Sequence, residues 1–486
     1  MAAVVFLAFA APTACGSSDN TSATVDAGPD GEVIPDPDTV PPQVVFRTPT
    51  DGEAKVALRK PIRATFSETV KFGPRPATLR ADGVEIPCTF TLSDNGTVMT
   101  ITPTAEPPVP ATLSVEFGDV TDLRGNPLVR PPWTWSVPRW LEIGNSFPSG
   151  GLYPMLAAGP GEYVHVAALF DEPARTFRLY QTSTPTTSWR ALADSRNPTP
   201  NATIAVDADG SIVAAFASES GESVSVARYT TSIWKTIGGP FPLAINGSFS
   251  LAFDKRGTLI LAYDAAAGDG AANVIVQALE PLGEPWQWSQ LRNSVNDPST
   301  EKAAYFQSLT LNSEGIPYVS YRTERPVAGE EGTILEGHVR AWTQGQWQPI
   351  GDSVSAPDED VRSLMVAVDA TSSPFAIAQL SNRFLPKAQM RILRLENSKW
   401  TLVGPELEGR NNSMFFGRMR DGHLFAYVSV DGDLRTLDVA REGWTRIPLD
   451  AVGPFNGAAG TLDPTGIPLI AWITEPGNLS VLRWNR

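Results

Sequence analysis

Two observations predict an all-β chain: one strand–turn–strand phrase recurs seven times between Met155 and Trp472, and short alternating strands fill residues 43–138 ahead of it. A third observation orders the second half. Trp140-Leu-Glu-Ile-Gly144 copies the Trp-x-x-Ile-Gly pattern found at Trp234–Gly238 and Trp347–Gly351. The architecture expected is a β-sandwich followed by a seven-bladed β-propeller, closed by pairing of Trp140–Gly144 with the C-terminal blade.

Composition agrees. A chain of 486 residues divides into two or three domains, and 42% apolar residues build substantial cores. Gly 40 and Pro 43, with few long helical patterns, point to turns and strands. The formal charge of −15 argues against nucleic acid, which needs a basic face.

The first element, residues 1–14, carries no charge, and its apolar run Ala2–Ala11 is too short to span a bilayer. It reads as a signal peptide. Ala14 directly before Cys15 resembles the lipobox of bacterial lipoproteins, which implies cleavage there and lipidation of Cys15. No Lys or Arg precedes the run, and Pro12 stands where that family carries Leu. Residues 15–42 follow as a lipid-anchored disordered tether: Gly16–Pro42 holds six acidic residues, no basic one, and many Ser, Thr, Gly and Pro.

Residues 43–138 lack the repeated phrase. Strands such as Pro61-Ile-Arg-Ala-Thr-Phe66, Thr97–Thr102 and Ala111–Phe117, with regular turns between them, suggest a sandwich of about seven strands. Three motifs, the opening Pro-x-Asp-Gly52, Phe66-Ser-Glu-x-Val70 and Val120-Thr-Asp-Leu-Arg-Gly-Asn-Pro127, closely resemble bacterial Ig-like domains of the surface-layer-protein type. The resemblance implies a spacer or adhesive module.

Residues 139–486 form the ring. Copies such as Ile204–Phe216, Leu251–Tyr263 and Gly460–Trp472 align on a turn position occupied by Gly161, Gly210, Gly257, Gly315, Ser372, Gly422 and Gly466. These positions lie 44 to 58 residues apart, a blade-sized period. Tryptophans open the fourth strands at Trp189, Trp234, Trp286 or Trp288, Trp347, Trp400 and Trp444, and are expected to fill the gap between blades, stacking on sugars as in propeller lectins being the alternative. The last unit ends on a third strand, Leu479–Trp484, so Trp140–Gly144 supplies its fourth and removes an open edge. The ring resembles lipoprotein-type β-propellers of bacterial envelopes; it lacks the Trp of sialidase Asp-boxes, the WD-repeat pairs and the quinone-docking motif.

Chemistry is sparse in this sequence. Asp207 with Asp209, and Asp431 with Asp433, look like fragments of calcium loops but lack a third spaced carboxylate and a closing Glu, so turn-forming Asp is the expectation and no metal is assigned. His165, His338 and His423 are scattered, which disfavours zinc and His-based triads. Cys88 has no His in its domain and is expected as a buried strand residue. No cofactor is implied. Loops between second and third strands vary most and share one face with the links between blades; the candidate binding groups there are Asp171, Glu172, Arg175, Asp264, Arg322, Arg325, Arg383 and Asp431.

The expectation is a non-catalytic, lipid-anchored protein of the bacterial cell envelope, at the outer membrane or cell surface, that acts as a binding or scaffolding platform for protein or glycan. The alternative is an exported propeller glycoside hydrolase or lyase. A reaction centre would require carboxylates, Arg or Tyr converging in a deep pocket.

Overall fold

The computed structural model describes residues 39–485 apart from short segments, among them 160–164, 172–175, 383–386, 440–444 and 447–456. The signal peptide, Cys15 and most of the tether therefore lie outside the described residues, as do Gly161 and Trp444. Every regular element among the described residues is a β-strand.

The N-terminal domain packs two four-stranded sheets face to face. One orders Val44–Thr48, Ile62–Phe66, Val98–Pro103 and Cys88–Leu92; the other orders Thr134–Val137, Ala111–Phe117, Ala77–Ala81 and Val84–Ile86. Strict alternation of buried and open positions, as along Ala111–Phe117, turns one face of each sheet inward. The core between them includes Phe66, Leu79, Met99, Phe117 and Trp133. Phe117 stacks on Trp133 with ring centroids 5.9 Å apart, and the Trp133 indole donates to the Pro49 carbonyl at 2.8 Å, so its one polar group is satisfied inside the core. The Val-x-Asp-x-x-Gly-Asn-Pro motif is a closed loop: the Asp122 carboxylate accepts the backbone N–H groups of Arg124, Gly125 and Asn126 at 2.8, 2.6 and 2.8 Å.

The second half contains seven sheets built around four antiparallel strands each, consistent with the expected seven blades. In chain order the first strands are Gly151–Ala158, Ala202–Val206, Phe249–Phe253, Tyr305–Leu311, Asp360–Val368, Asn411–Arg418 and Ala458–Leu462. Each of these touches the next, and the last touches the first, so the ring is closed. Blade 7 takes its outer strand from the chain start: Trp140 pairs with Trp484, Leu141 with Arg483 and Glu142 with Leu482.

The turn between first and second strands explains the repeated phrase. The position aligned in the repeats has positive φ at Gly210, Gly257, Gly315, Gly422 and Gly466, and also at Ser372, where φ is 64°. At Asp254, Asn312, Asp369 and Asp463 the side-chain oxygen accepts two backbone N–H groups of its own turn. In blade 2 the Asp209 carboxylate accepts the Ser211 N–H at 2.8 Å, so this pair of Asp residues also serves its own turn. Among the described residues no group of three His, Cys, Asp or Glu converges as a metal site.

The Trp-x-x-Ile-Gly pattern is an inter-blade tie. Trp288 donates its indole N–H to the Ile237 carbonyl of blade 2 at 2.8 Å, Trp189 to Ile143 at 3.2 Å, and Trp400 to Asp352 at 3.0 Å. The glycine after Ile237 leaves room for that indole, since a Cβ at Gly238 would overlap the Trp288 ring nitrogen. Of the two tryptophans open to assignment in blade 3, Trp288 is the tie.

The two domains meet at Asn485, which is 3% exposed. Its side chain accepts the Leu58 N–H at 2.7 Å and donates to the carbonyls of Val56 and Pro138 at 3.0 and 2.8 Å.

Candidate functional site

The described candidate groups gather mainly at the second-to-third-strand end of blade 4, between blades 3 and 5. Two strands build this ledge, Pro317–Pro326 and Thr333–Thr343, paired in register from Tyr318 opposite Ala341 to Pro326 opposite Thr333. Because directly paired residues share a face, Tyr321, Thr323, Glu336, His338 and Arg340 fall on one side, toward blade 3. Arg322 falls on the other side, toward blade 5.

On the first side a polar network closes on itself. Arg340 donates its Nε–H to the Tyr321 hydroxyl at 2.8 Å, and Tyr321 donates to Glu301 at 2.9 Å. Arg340 also pairs with Glu301 at 3.0 Å. His338 stacks on the Tyr321 ring at 5.2 Å and its Nε2 shares a hydrogen bond of 2.8 Å with the Thr323 hydroxyl. Burial holds the His338 imidazole below its ordinary pKa, against the raising fields of Glu301 and Glu336. Burial likewise pushes the Tyr321 phenol up, with the Glu301 charge adding to it.

The sequence places Asp264, Arg322 and Arg325 in loops; the structure places all three inside strands. Asp264 lies in the second strand of blade 3, Leu259–Ala266, opposite Val274, and the Arg322 strand runs on through Pro326. The pairing extends farther than the apolar pattern because polar side chains there bond across blades instead of facing water. Asp264 is 3% exposed; one carboxylate oxygen accepts the Ser248 N–H at 2.9 Å and the other the Phe306 N–H of blade 4. Burial pushes its pKa up to about 6, and the two N–H groups and Arg322 act in the opposite direction. Arg322 reaches blade 5, donating to the carbonyls of Val361 and Arg362 at 3.1 and 2.5 Å. Arg325 donates to the Pro357 carbonyl and sits 3.5 Å from Glu336.

Asp431 stands apart from this ledge, exposed in the tight turn between Leu424–Val430 and Asp433–Asp438 with a φ of 49°. Asp171 ends the second strand of blade 1, paired with Gly151 and Thr176. Glu172, Arg175 and Arg383 lie outside the described residues.

Glu301, Tyr321, His338 and Arg340 were not legible as a group. They sit up to 39 residues apart, and only strand register and the link before blade 4 bring them together. His338 was visible as a histidine in a third strand; nothing in the sequence marked its neighbours.

Residues 38–137 match the bacterial Ig-like domain family. No curated protein matches the chain in sequence. Solved structures similar to it include three that share its fold only distantly. One is the β-propeller domain of the Trilobed protease from Pyrococcus furiosus, 12% identical, covering 69% of this chain and 95% of that one with a TM-score of 0.44. A PL25 ulvan lyase bound to a GlcA-Rha3S saccharide is 12% identical over 70% and 94%, TM-score 0.49. The α-L-arabinanase of Penicillium chrysogenum complexed with arabinobiose is 13% identical over 70% and 97%, TM-score 0.39. Residues 38–137 are thus an Ig-like domain, and the propeller rests on the seven sheets of the ring; likeness of this degree says nothing of activity.

Proposed function

We propose that this protein is a non-catalytic binding or scaffolding platform of the bacterial cell envelope, held to the membrane by a lipid on Cys15 and presenting a propeller face to protein or glycan. The observation that carries the reading is the way the ledge of blade 4 uses its charges. Asp264 gives both oxygens to backbone N–H groups, Arg322 binds two carbonyls of the next blade, and Tyr321 is held between Arg340 and Glu301. Groups engaged in this way brace blades against one another; a general acid or base must instead reach its substrate. The bracing gives a rigid disc on which loops are held for recognition.

The rival reading, an exported hydrolase or lyase, draws on Glu336 and His338, whose side chains keep 26% and 21% exposure beside the buried tyrosine. Incubation with plant, algal and bacterial polysaccharides separates the two. The platform reading expects retention on a glycan or an envelope protein with no new reducing ends and no unsaturated product. Turnover that disappears in His338→Ala or Glu336→Gln would overturn it. Anchoring is checked separately: labelled palmitate is expected in the parent chain and absent from Cys15→Ser.

A further inference from the structure

Three cavities of the ring lie between neighbouring blades; in each an Arg is already engaged, and they differ in their aromatic lining. Over the turns of blades 5 to 7, in a cavity of about 500 Å3, Arg418 donates to the Asp369 carbonyl and Asp463 pairs with Arg483 at 3.0 Å. Between blades 4 and 5, in about 370 Å3, Arg391 is shared by Glu359 and Glu406, and Trp400 is tied to Asp352. The third, of about 290 Å3 between blades 2 and 3, is lined by Trp286.

Trp286 is the extra member of the tryptophan series. Trp288 makes the tie to blade 2, which leaves Trp286 without that task. The other described fourth-strand indoles either donate to a carbonyl, as Trp189, Trp288 and Trp400 do, or meet another aromatic ring, as Trp234 meets Phe216 and Trp347 meets Trp342. Among the described residues Trp286 has neither an acceptor for its N–H nor an aromatic partner.

The rest of the wall has two chemistries. Ile237, Phe253 and Leu259 continue the apolar surface, while Asp209, Ser211 and Arg228 form a polar edge, with Arg228 and Asp209 3.0 Å apart. A pyranose ring has this same division, C–H groups on one face and hydroxyls around the rim. The volume is at the small end of ligand pockets and excludes a folded partner. Asp207, Asp209 and Glu280 outnumber Arg228 at the site, which disfavours an anionic sugar.

We propose that the cavity between blades 2 and 3 is a saccharide site, in which Trp286 stacks on one neutral pyranose while Asp209 and Arg228 bond its hydroxyls. This rests on the platform reading and names its ligand, and it locates binding at the end of the blades where first and second strands turn, opposite the blade 4 ledge.

Isothermal titration of the full chain with glucose, galactose, N-acetylglucosamine, cellotetraose and chitotetraose tests it. At least one is expected to bind, with affinity about tenfold weaker in Trp286→Ala and about threefold weaker in Trp286→Phe, which keeps a ring but a smaller one. Trp286→Phe guards against misfolding, its melting temperature being expected to match the parent. Binding at parental affinity in both variants overturns the cavity assignment and leaves the platform standing on another surface. Failure of all five saccharides to bind also overturns the assignment; the platform then stands or falls on retention of an envelope protein.

Discussion

Asp264 is a residue whose charge the fold resists. Its carboxyl pKa is about 6 in the folded chain and about 4 in an unfolded one. Between those values the folded state binds more protons than the unfolded state, so this group's contribution to stability falls as pH rises through the window and is fully favourable only below it. Two pH units correspond to about 3 kcal/mol. Asp264→Asn removes the titration, so the gap in unfolding free energy between parent and variant should shift by about that amount from pH ~4 to ~7, the parent losing; urea titrations giving a constant gap would contradict the assignment. Cys88 behaves in the same sense. It is half-buried against the sandwich core, its thiol donates to the Ile86 carbonyl at 3.3 Å, and burial, helped by the Glu85 charge, pushes its pKa up to about 11. In a Cys15→Ser chain its reaction with a disulfide reagent at pH ~8 should run about a hundredfold slower than that of an ordinary thiol, because only thiolate reacts. A rate equal to glutathione's would place the thiol in solvent.

At the scale of elements, the fourth strand and its neighbour act as a coupled pair. The tie from Trp288 to Ile237 needs the space that Gly238 leaves, so Gly238→Ala should cost about 2–4 kcal/mol from overpacking and the lost hydrogen bond. The melting temperature of the ring is the measurement, and a fall of less than a degree would show the indole moving aside freely. The strand register also makes the blade 4 ledge. Tyr321 opposite His338 and Thr323 opposite Glu336 follow from pairing alone. A slip by one residue would send this whole set to the other face.

At the scale of the molecule, closure and docking share one short stretch of chain. Trp484 pairs with Trp140 to complete blade 7, and the next residue, Asn485, bonds Val56, Leu58 and Pro138. The ring's last strand therefore positions the Ig-like domain. Asn485→Ala should loosen the junction without opening the ring. Limited proteolysis is expected to cut near residues 138 and 139 several-fold faster than in the parent, with the ring's melting temperature changed by only a few degrees; equal cleavage rates would assign the docking to other contacts.

By itself the sequence determined what repeats and what is local. The Asp–Gly turns, the Trp-x-x-Ile-Gly pattern, the borrowed strand at Trp140 and the Ig-like motifs were legible because each needs particular residues at fixed spacing, such as a positive φ or an apolar alternation. Tertiary structure decided which charges meet. Asp264 with Phe306, Arg322 with Val361, and Glu301 with Arg340 join residues about 40 positions apart on different strands or blades. No local pattern encodes such contacts, because they depend on how far each strand extends and on the angle at which the next blade packs. For the same reason Trp286 and Trp288 look alike along the chain, and only the neighbouring blade separates the tie from the open indole.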